Sequence, residues 1–180
     1  MSQIKVNSII PVAGVRTGGG CGIIQIKQTF ISDVKSYTAD SYVWADMPGY
    51  NCTITPTSSS SKIMVVVGIG ALQQNAGTIL GKVVRGSTDI GIGDAAGNRM
   101  RCGFRILGQD AINGNHCGSY HYTFMDSPAT TSATTYKVQF AGGSNTSYPV
   151  YLNRTVNDSD SADNFRGRAA STLTLMEVSA

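Results

Sequence analysis

Residues 120–140 read YHYTFMDSPATTSATTYKVQF. In the first part Tyr120, Tyr122 and Phe124 alternate with His121, Thr123 and Met125. In the last part Tyr136, Val138 and Phe140 alternate with Lys137 and Gln139. A period of two places successive side chains on opposite faces of a strand, so both parts read as half-buried β-strands. Between them Asp126-Ser127-Pro128-Ala129 and a threonine-rich stretch read as a turn, and the two strands are expected to neighbour each other.

Working outward, the same text recurs. Ile63-Met64-Val65-Val66-Val67-Gly68-Ile69 is continuously apolar and reads as a central strand covered on both faces. Further strands are expected within Gly22–Ile31, Tyr42–Trp44, Cys52–Thr55, Cys102–Leu107 and Tyr148–Leu152. Leu80–Arg85 and Thr88–Ile92 read as a hairpin through Arg85-Gly86-Ser87. Met47-Pro48-Gly49 reads as a turn, because proline presets one φ and glycine takes the left-handed one. Thr172–Val178 closes the chain, and a final strand there is expected in the middle of a sheet, since a loose end would fray. No segment of helical period reaches a useful length. The total of about nine or ten short strands predicts an all-β fold, an antiparallel β-sandwich or jelly roll.

Composition agrees. The chain has 180 residues, 41% hydrophobic and 14% charged, with 21 glycines. The charged share is far below the ~25% of an average soluble domain. One domain is expected over residues 23–180, long enough to bury a core. The net charge of +3 is too small, and its arginines (Arg99, Arg101 and Arg105; Arg166 and Arg168) too scattered, for a nucleic-acid reader. The four cysteines, at positions 21, 52, 102 and 117, form no C-x-x-C pair and read as reduced, buried thiols. Asn51, Asn145, Asn153 and Asn157 begin N-x-Ser/Thr triplets that read as accidents of a Ser/Thr-rich chain.

Residues 1–22, MSQIKVNSIIPVAGVRTGGGCG, stand apart. Lys5 and Pro11 interrupt the apolar part, which fits neither a signal peptide nor the ~18 apolar residues of a membrane span. The stretch reads as an extended anchoring arm. Ile4, Val6, Ile9, Ile10, Val12 and Val15 are its docking residues, and Gly18, Gly19, Gly20 and Gly22 its hinge.

Chemistry is sparse. Gly77-Thr78-Ile79-Leu80-Gly81-Lys82 is one residue short of a P-loop and has Val83 where a magnesium-binding hydroxyl belongs. His116 and His121, with Asp110, Asp126 and Cys117 nearby, lack any motif of a catalytic triad. His121 is expected on a solvent or interface face. Asp158, Asp160 and Asp163 form a weak candidate for a hard cation, but without the glycine and distal Glu of a calcium loop they read as a solvated loop tip. Trp44 with Tyr42 is a possible sugar-stacking pair, or a pair of core or interface aromatics. No catalytic residues, metal or cofactor are expected. A glycan depolymerase would need paired carboxylates across a groove.

Several segments carry a resemblance. They are Ile4-Lys5-Val6-Asn7-Ser8-Ile9, Pro11-Val12-Ala13-Gly14-Val15, the glycine string into Ile23-Ile24-Gln25, Thr53-Ile54-Thr55-Pro56-Thr57-Ser58, Val84-Arg85-Gly86-Ser87-Thr88, Asp126-Ser127-Pro128-Ala129-Thr130-Thr131 and Leu173-Thr174-Leu175-Met176-Glu177-Val178. Together they resemble virion structural proteins of marine and freshwater tailed phages, including cyanophages, often labelled tail fibres. Arg16 and Cys21 depart from the pattern. The resemblance implies a compact sandwich similar to trimeric C1q- or tumour-necrosis-factor-like jelly rolls. It also implies a non-enzymatic exterior subunit, a homotrimer whose partners are other virion proteins and a host-surface glycan or receptor, with no nucleic acid and no membrane insertion. Host contact is then expected in the polar loops, at Asp94, Asn98, Arg99, Asp110, Asn113, Asn115, Ser144 and Asn145. The alternative is a capsid decoration (cement) protein whose arm clamps neighbouring shell subunits.

Overall fold

The computed structural model describes residues 22–39, 42–74, 77–107, 117–142, 148–162, 164 and 166–179. The docking residues of the arm and Gly18, Gly19 and Gly20 lie outside the described residues. So do Asp110, Asn113, Asn115, Ser144, Asn145 and Asp163.

The described residues form eleven strands and no helix: β1 (Ile23–Ile31), β2 (Lys35–Ala39), β3 (Ala45–Ile54), β4 (Lys62–Gln74), β5 (Thr78–Arg85), β6 (Thr88–Ile90), β7 (Phe104–Leu107), β8 (Gly118–Asp126), β9 (Thr134–Gly142), β10 (Tyr148–Leu152) and β11 (Ser171–Val178). All pairings are antiparallel. One sheet runs β1-β11-β4-β8, with β10 and β2 continuing from the far end of β4; the other runs β3-β9-β5, whose free edge carries β7 and then β6. This interleaving of early and late strands in two facing sheets is a jelly-roll sandwich. The all-β sandwich expected from the alternation is therefore the observed fold.

The core lies between the sheets. Ile63, Val65, Val67, Leu173 and Leu175 come from the first sheet; Ile54, Ile79, Val83, Tyr136, Val138 and Phe140 come from the second, all fully buried. Each set is the alternate-residue face of its strand, which is the pattern visible in residues 120–140. Yet β8 and β9 do not neighbour each other. β8 pairs β4 in the first sheet and β9 pairs β3 and β5 in the second. Both strands present aromatics inward, and facing sheets about 10 Å apart bury two such faces better than one hairpin does. The intervening chain crosses the end of the sandwich. Tyr136 holds that crossing by donating to Asp126 Oδ2 at 2.7 Å, where Arg85 also pairs at 3.2 Å.

Other expectations shift similarly. β4 is central, but Met64 and Val66 on its outer face are only half-buried, so it is covered on one face rather than two. The Met47-Pro48-Gly49 turn is instead a bulge within β3, where the register with β9 slips between Asp46 and Asn51 and Gly49 adopts φ +75°. The bulge turns both Met47 and Tyr50 into the core. Residues 42–44 are not a strand; β2 forms earlier, paired to the edge of β10. The Arg85-Gly86-Ser87 hairpin is present, with Arg85 opposite Thr88 and Gly86 at φ +61°. β11 lies between β1 and β4, in mid-sheet.

One edge of β4 is shared. β11 occupies it up to Gly68 and β10 from Leu72. At Gly70, between them, a Cβ would fall 2.1 Å from the carbonyl oxygen of Ala170, so only glycine fits. Asn153 closes the seam. It is fully buried with φ +67°, and its amide nitrogen donates to the carbonyls of Ile31 and Asp33 at 2.9 Å each. Its Oδ1 accepts from Ser171 Oγ at 2.6 Å, and its backbone N–H donates to Ala71 O at 2.8 Å. Asn tolerates the left-handed backbone better than most residues, and here its side chain also supplies three bonds.

At the other end of β11, Glu177 is buried and accepts from Gln25 Nε2 at 2.6 Å and from the Thr57 N–H and hydroxyl at 2.7 Å. Burial pushes its carboxyl pKa up, but the hydrogen bonds outweigh burial and bring it from 4.5 to about 2. The charged form is thus the one the fold holds.

Two measurements follow. Asn153→Ala strands the buried Ile31 carbonyl, removes the bonds to the Asp33 carbonyl and the Ser171 hydroxyl and strains the backbone, so urea unfolding is expected to show a loss of about 3–4 kcal/mol. Asn153→Gly relieves the backbone and loses about 1 kcal/mol less. Because the Glu177 pKa is depressed on folding, its contribution is complete above about pH 5 and disappears as pH falls towards 2; it is on the order of 3 kcal/mol. Glu177→Gln is expected to flatten the stability profile in that window.

Candidate functional surfaces

The two outer faces of the sandwich differ in chemistry. On the second sheet, charges are paired. Lys137 reaches Asp46 at 2.8 Å, and Gln139 donates to the same carboxylate at 2.7 Å. Lys137 lowers the Asp46 pKa, against a smaller desolvation effect. Lys82 is only 6% exposed and sits 2.6 Å from Asp89, with its ammonium 4.5 Å from the centre of the Trp44 ring. That arrangement decides the reading of Trp44: one ring face is taken by a cation, a cation–π contact, and is not an open platform for sugar. Tyr42 is separate from it, 52% exposed and turned outward.

Tyr42 lines an open groove of about 610 Å³ with Thr78, Leu80, Asn98, Arg99, Met100, Cys102 and Arg105. The loop from Gly91 to Gly103 builds one wall. Arg99 donates to Ala96 O through both its backbone N–H and its Nη1, at 3.3 and 3.2 Å. Arg101 braces the loop from below by donating to Gly93 O at 2.7 Å. Of the loop residues expected to contact a host, Asn98 and Arg99 therefore come together with Tyr42 and Arg105. Asp94 is exposed on the same loop but does not line the groove.

The outer face of the first sheet is different. Cross-strand register places Ile26, Met176, Met64 and Met125 in one row, Gln28, Thr174, Val66 and Thr123 in the next, and Phe30, Thr172, Gly68 and His121 in a third. None of these carries a carboxylate, ammonium or guanidinium. Phe30 is 63% exposed, Ile26 55% and Met125 46%. Gln28 ties the middle row to Thr174 with a 2.7 Å hydrogen bond. His121 is exposed here, on the face expected of it. The sequence reading missed this surface. Its signal was present as the outward residues of four strands, but those strands are brought together only by the fold.

The remaining candidates are structural. Asp158 pairs with Arg154 at 3.2 Å and Arg168 at 2.7 Å, so two guanidiniums already occupy its carboxylate; Asp160 is exposed nearby. Among the described residues no group of three or more His, Cys, Asp or Glu side chains could hold a metal ion. Cys52 is buried as expected and burial raises its thiol pKa, whereas Cys102 is half-buried and Cys117 is exposed. Cys117 thus departs from the expectation of buried thiols, because it precedes the first residue of β8 at the sandwich edge. The Asn153 triplet is explained by burial rather than chance. Gly77–Lys82 runs from a left-handed glycine into β5, a strand rather than the helix a phosphate loop needs. No protein-family model matches the chain, and no curated protein matches it.

Trp44 is the single tryptophan of the chain, so its emission reports this face directly. Lys82→Ala uncovers the ring and is expected to raise acrylamide quenching several-fold while costing about 1–2 kcal/mol. Unchanged quenching would show that the ammonium does not cover the ring in solution.

Proposed function

We propose that this chain is a non-enzymatic structural subunit on the exterior of a tailed-bacteriophage virion, a homotrimeric tail-fibre or appendage protein. It docks into the particle through its N-terminal arm and meets the host with the polar loops of the sandwich. The observation that carries the reading is the outer face of the β1-β11-β4-β8 sheet, where three successive cross-strand rows carry no charge and Lys62 stands at the end of β4 beyond them. An isolated sandwich keeps such a face charged, as the opposite sheet does. A face of Ile, Phe, Met and Thr spanning four strands, with exposed apolar side chains on its β1 and β8 margins, is what an assembly subunit buries against its own copies. Closed three-fold symmetry, as in the jelly rolls the sequence resembles, uses that face up and stops further growth. The arm resemblance supplies the virion setting, and β1, the strand that follows residues 1–22 in the chain, is an edge strand of this same sheet.

Light scattering on the purified full-length protein is expected to give a trimer. A charge in the apolar row, Met64→Glu or Met176→Glu, is expected to give a folded monomer, because a desolvated unpaired carboxylate costs several kcal/mol per interface. A wild-type monomer at micromolar concentration would overturn the trimer. Deleting residues 1–17 is expected to leave melting of the sandwich nearly unchanged while abolishing incorporation into particles. Normal copy number of the truncated protein would overturn the docking role of the arm.

A further inference from the structure

We infer that the groove beside Tyr42 is a binding site for an acidic polysaccharide, with Arg99 and Arg105 taking the carboxylate of a sugar acid. This inference concerns the charged sheet rather than the uncharged one, and it stands or falls independently of the assembly the chain belongs to.

Three features carry it. The first is charge. Among the described residues, the groove lining holds two guanidiniums and no carboxylate. Each arginine is positioned by one side-chain bond, Arg99 to Ala96 O and Arg105 to Thr78 Oγ1 at 3.3 Å, which leaves most of its five N–H groups for a ligand. Other cations of this sheet are matched internally, Lys82 by Asp89 and Lys137 by Asp46. Planar forked donors of this kind bind carboxylates in bidentate fashion.

The second is shape and mixture. The groove is open and about 610 Å³, room for a short run of rings rather than a single enclosed metabolite. Leu80, Met100 and the Tyr42 ring offer apolar surface to the C–H face of a pyranose, and the Asn98 amide and Thr78 hydroxyl suit its hydroxyls. A nucleic-acid groove would instead combine several stacking aromatics with a longer basic track.

The third is strain. Tyr42 has φ +60°, a conformation rare for a bulky side chain, and its N–H donates to Gly142 O at 2.9 Å. Strained backbone held by a bond to another strand commonly marks a residue placed for a ligand.

The test uses full-length protein in isothermal titration with trigalacturonic acid and with its methyl ester, which is the same trisaccharide without charge. Saturable binding of the acid is expected, weakened at least tenfold by esterification and several-fold by raising sodium chloride to about 0.5 M. The variant carrying Arg99→Ala and Arg105→Ala is expected to lose at least tenfold in affinity with an unchanged melting temperature, since both side chains are exposed. Tyr42→Gly is expected to weaken binding while leaving stability equal or higher, because it removes the ring and relieves the backbone. Arg168→Ala, which lies with Asp158 away from the groove, is expected to bind as wild type. No saturation by about 10 mM acid, equal binding of the ester, or undiminished binding by the double-arginine variant would overturn the proposal. Tighter binding of a thymidine oligonucleotide than of trigalacturonate would overturn it in favour of a phosphate ligand.

Discussion

The fold depends on how one edge of β4 is divided. A single strand of thirteen residues accepts β11 along its first half and β10 along its end, both antiparallel to it. A gap in a ladder is costly, because buried carbonyls and N–H groups there have no water to turn to. Asn153 removes that cost. Its backbone N–H continues the pairing to β4, its side-chain amide nitrogen holds the end of β1 and the turn beyond, and its Oδ1 fixes the start of β11. Gly70 on the opposite side lets the chain pass at backbone contact. With the seam closed, β11 is set between β4 and the edge strand β1, and the broad outer face of the sheet exists.

Three tyrosines then bolt the sheets together. Tyr50 reaches across the core to Gly68 O, Tyr37 to Phe140 O, and Tyr136 to Asp126. Each buries a ring and satisfies its hydroxyl on the opposite sheet, so each adds a fixed distance to an otherwise non-directional core. Phe104 does the same without polarity, packing near both Phe140 and Tyr122. The consequence for function is rigidity. The low-charge face and the basic groove lie on opposite sheets of one body, and these cross-sheet contacts fix the distance between them.

Much of the fold was legible in residues 120–140 and in the run from Ile63, because burial of one face imposes a period of two that survives any arrangement of the strands. The mid-sheet place of the last strand was legible for a similar local reason. The pairing partners were not. Nothing within β8 or β9 says whether its apolar face meets a neighbour in the same sheet or the sheet opposite, and the structure chose the latter. Met47-Pro48-Gly49 carried a correct local signal, a left-handed glycine after proline, with the wrong consequence, since a bulge and a chain reversal use the same dihedral angles. Asn153 carried no usable signal at all. It resembled one more Asn in a Ser/Thr-rich chain, and its importance comes from carbonyls far away in sequence.

The candidate sites divide along the same line. Arg99 and Asn98 were visible as polar loop residues, and Tyr42 and Trp44 as aromatics out of place. That Trp44 is covered by Lys82, while Tyr42 joins two arginines in a groove, required the fold to bring β5, β7 and the loop before it together. The uncharged face is the extreme case: its outward residues are scattered from Ile26 to Met176, and each strand alone shows only unremarkable alternation. By itself the sequence determined the all-β class, many of the inward residues and the low charge, because these depend on local spacing and composition. Only the tertiary structure decided which outward residues share a surface, because cross-strand register is a property of pairs of strands and not of either one.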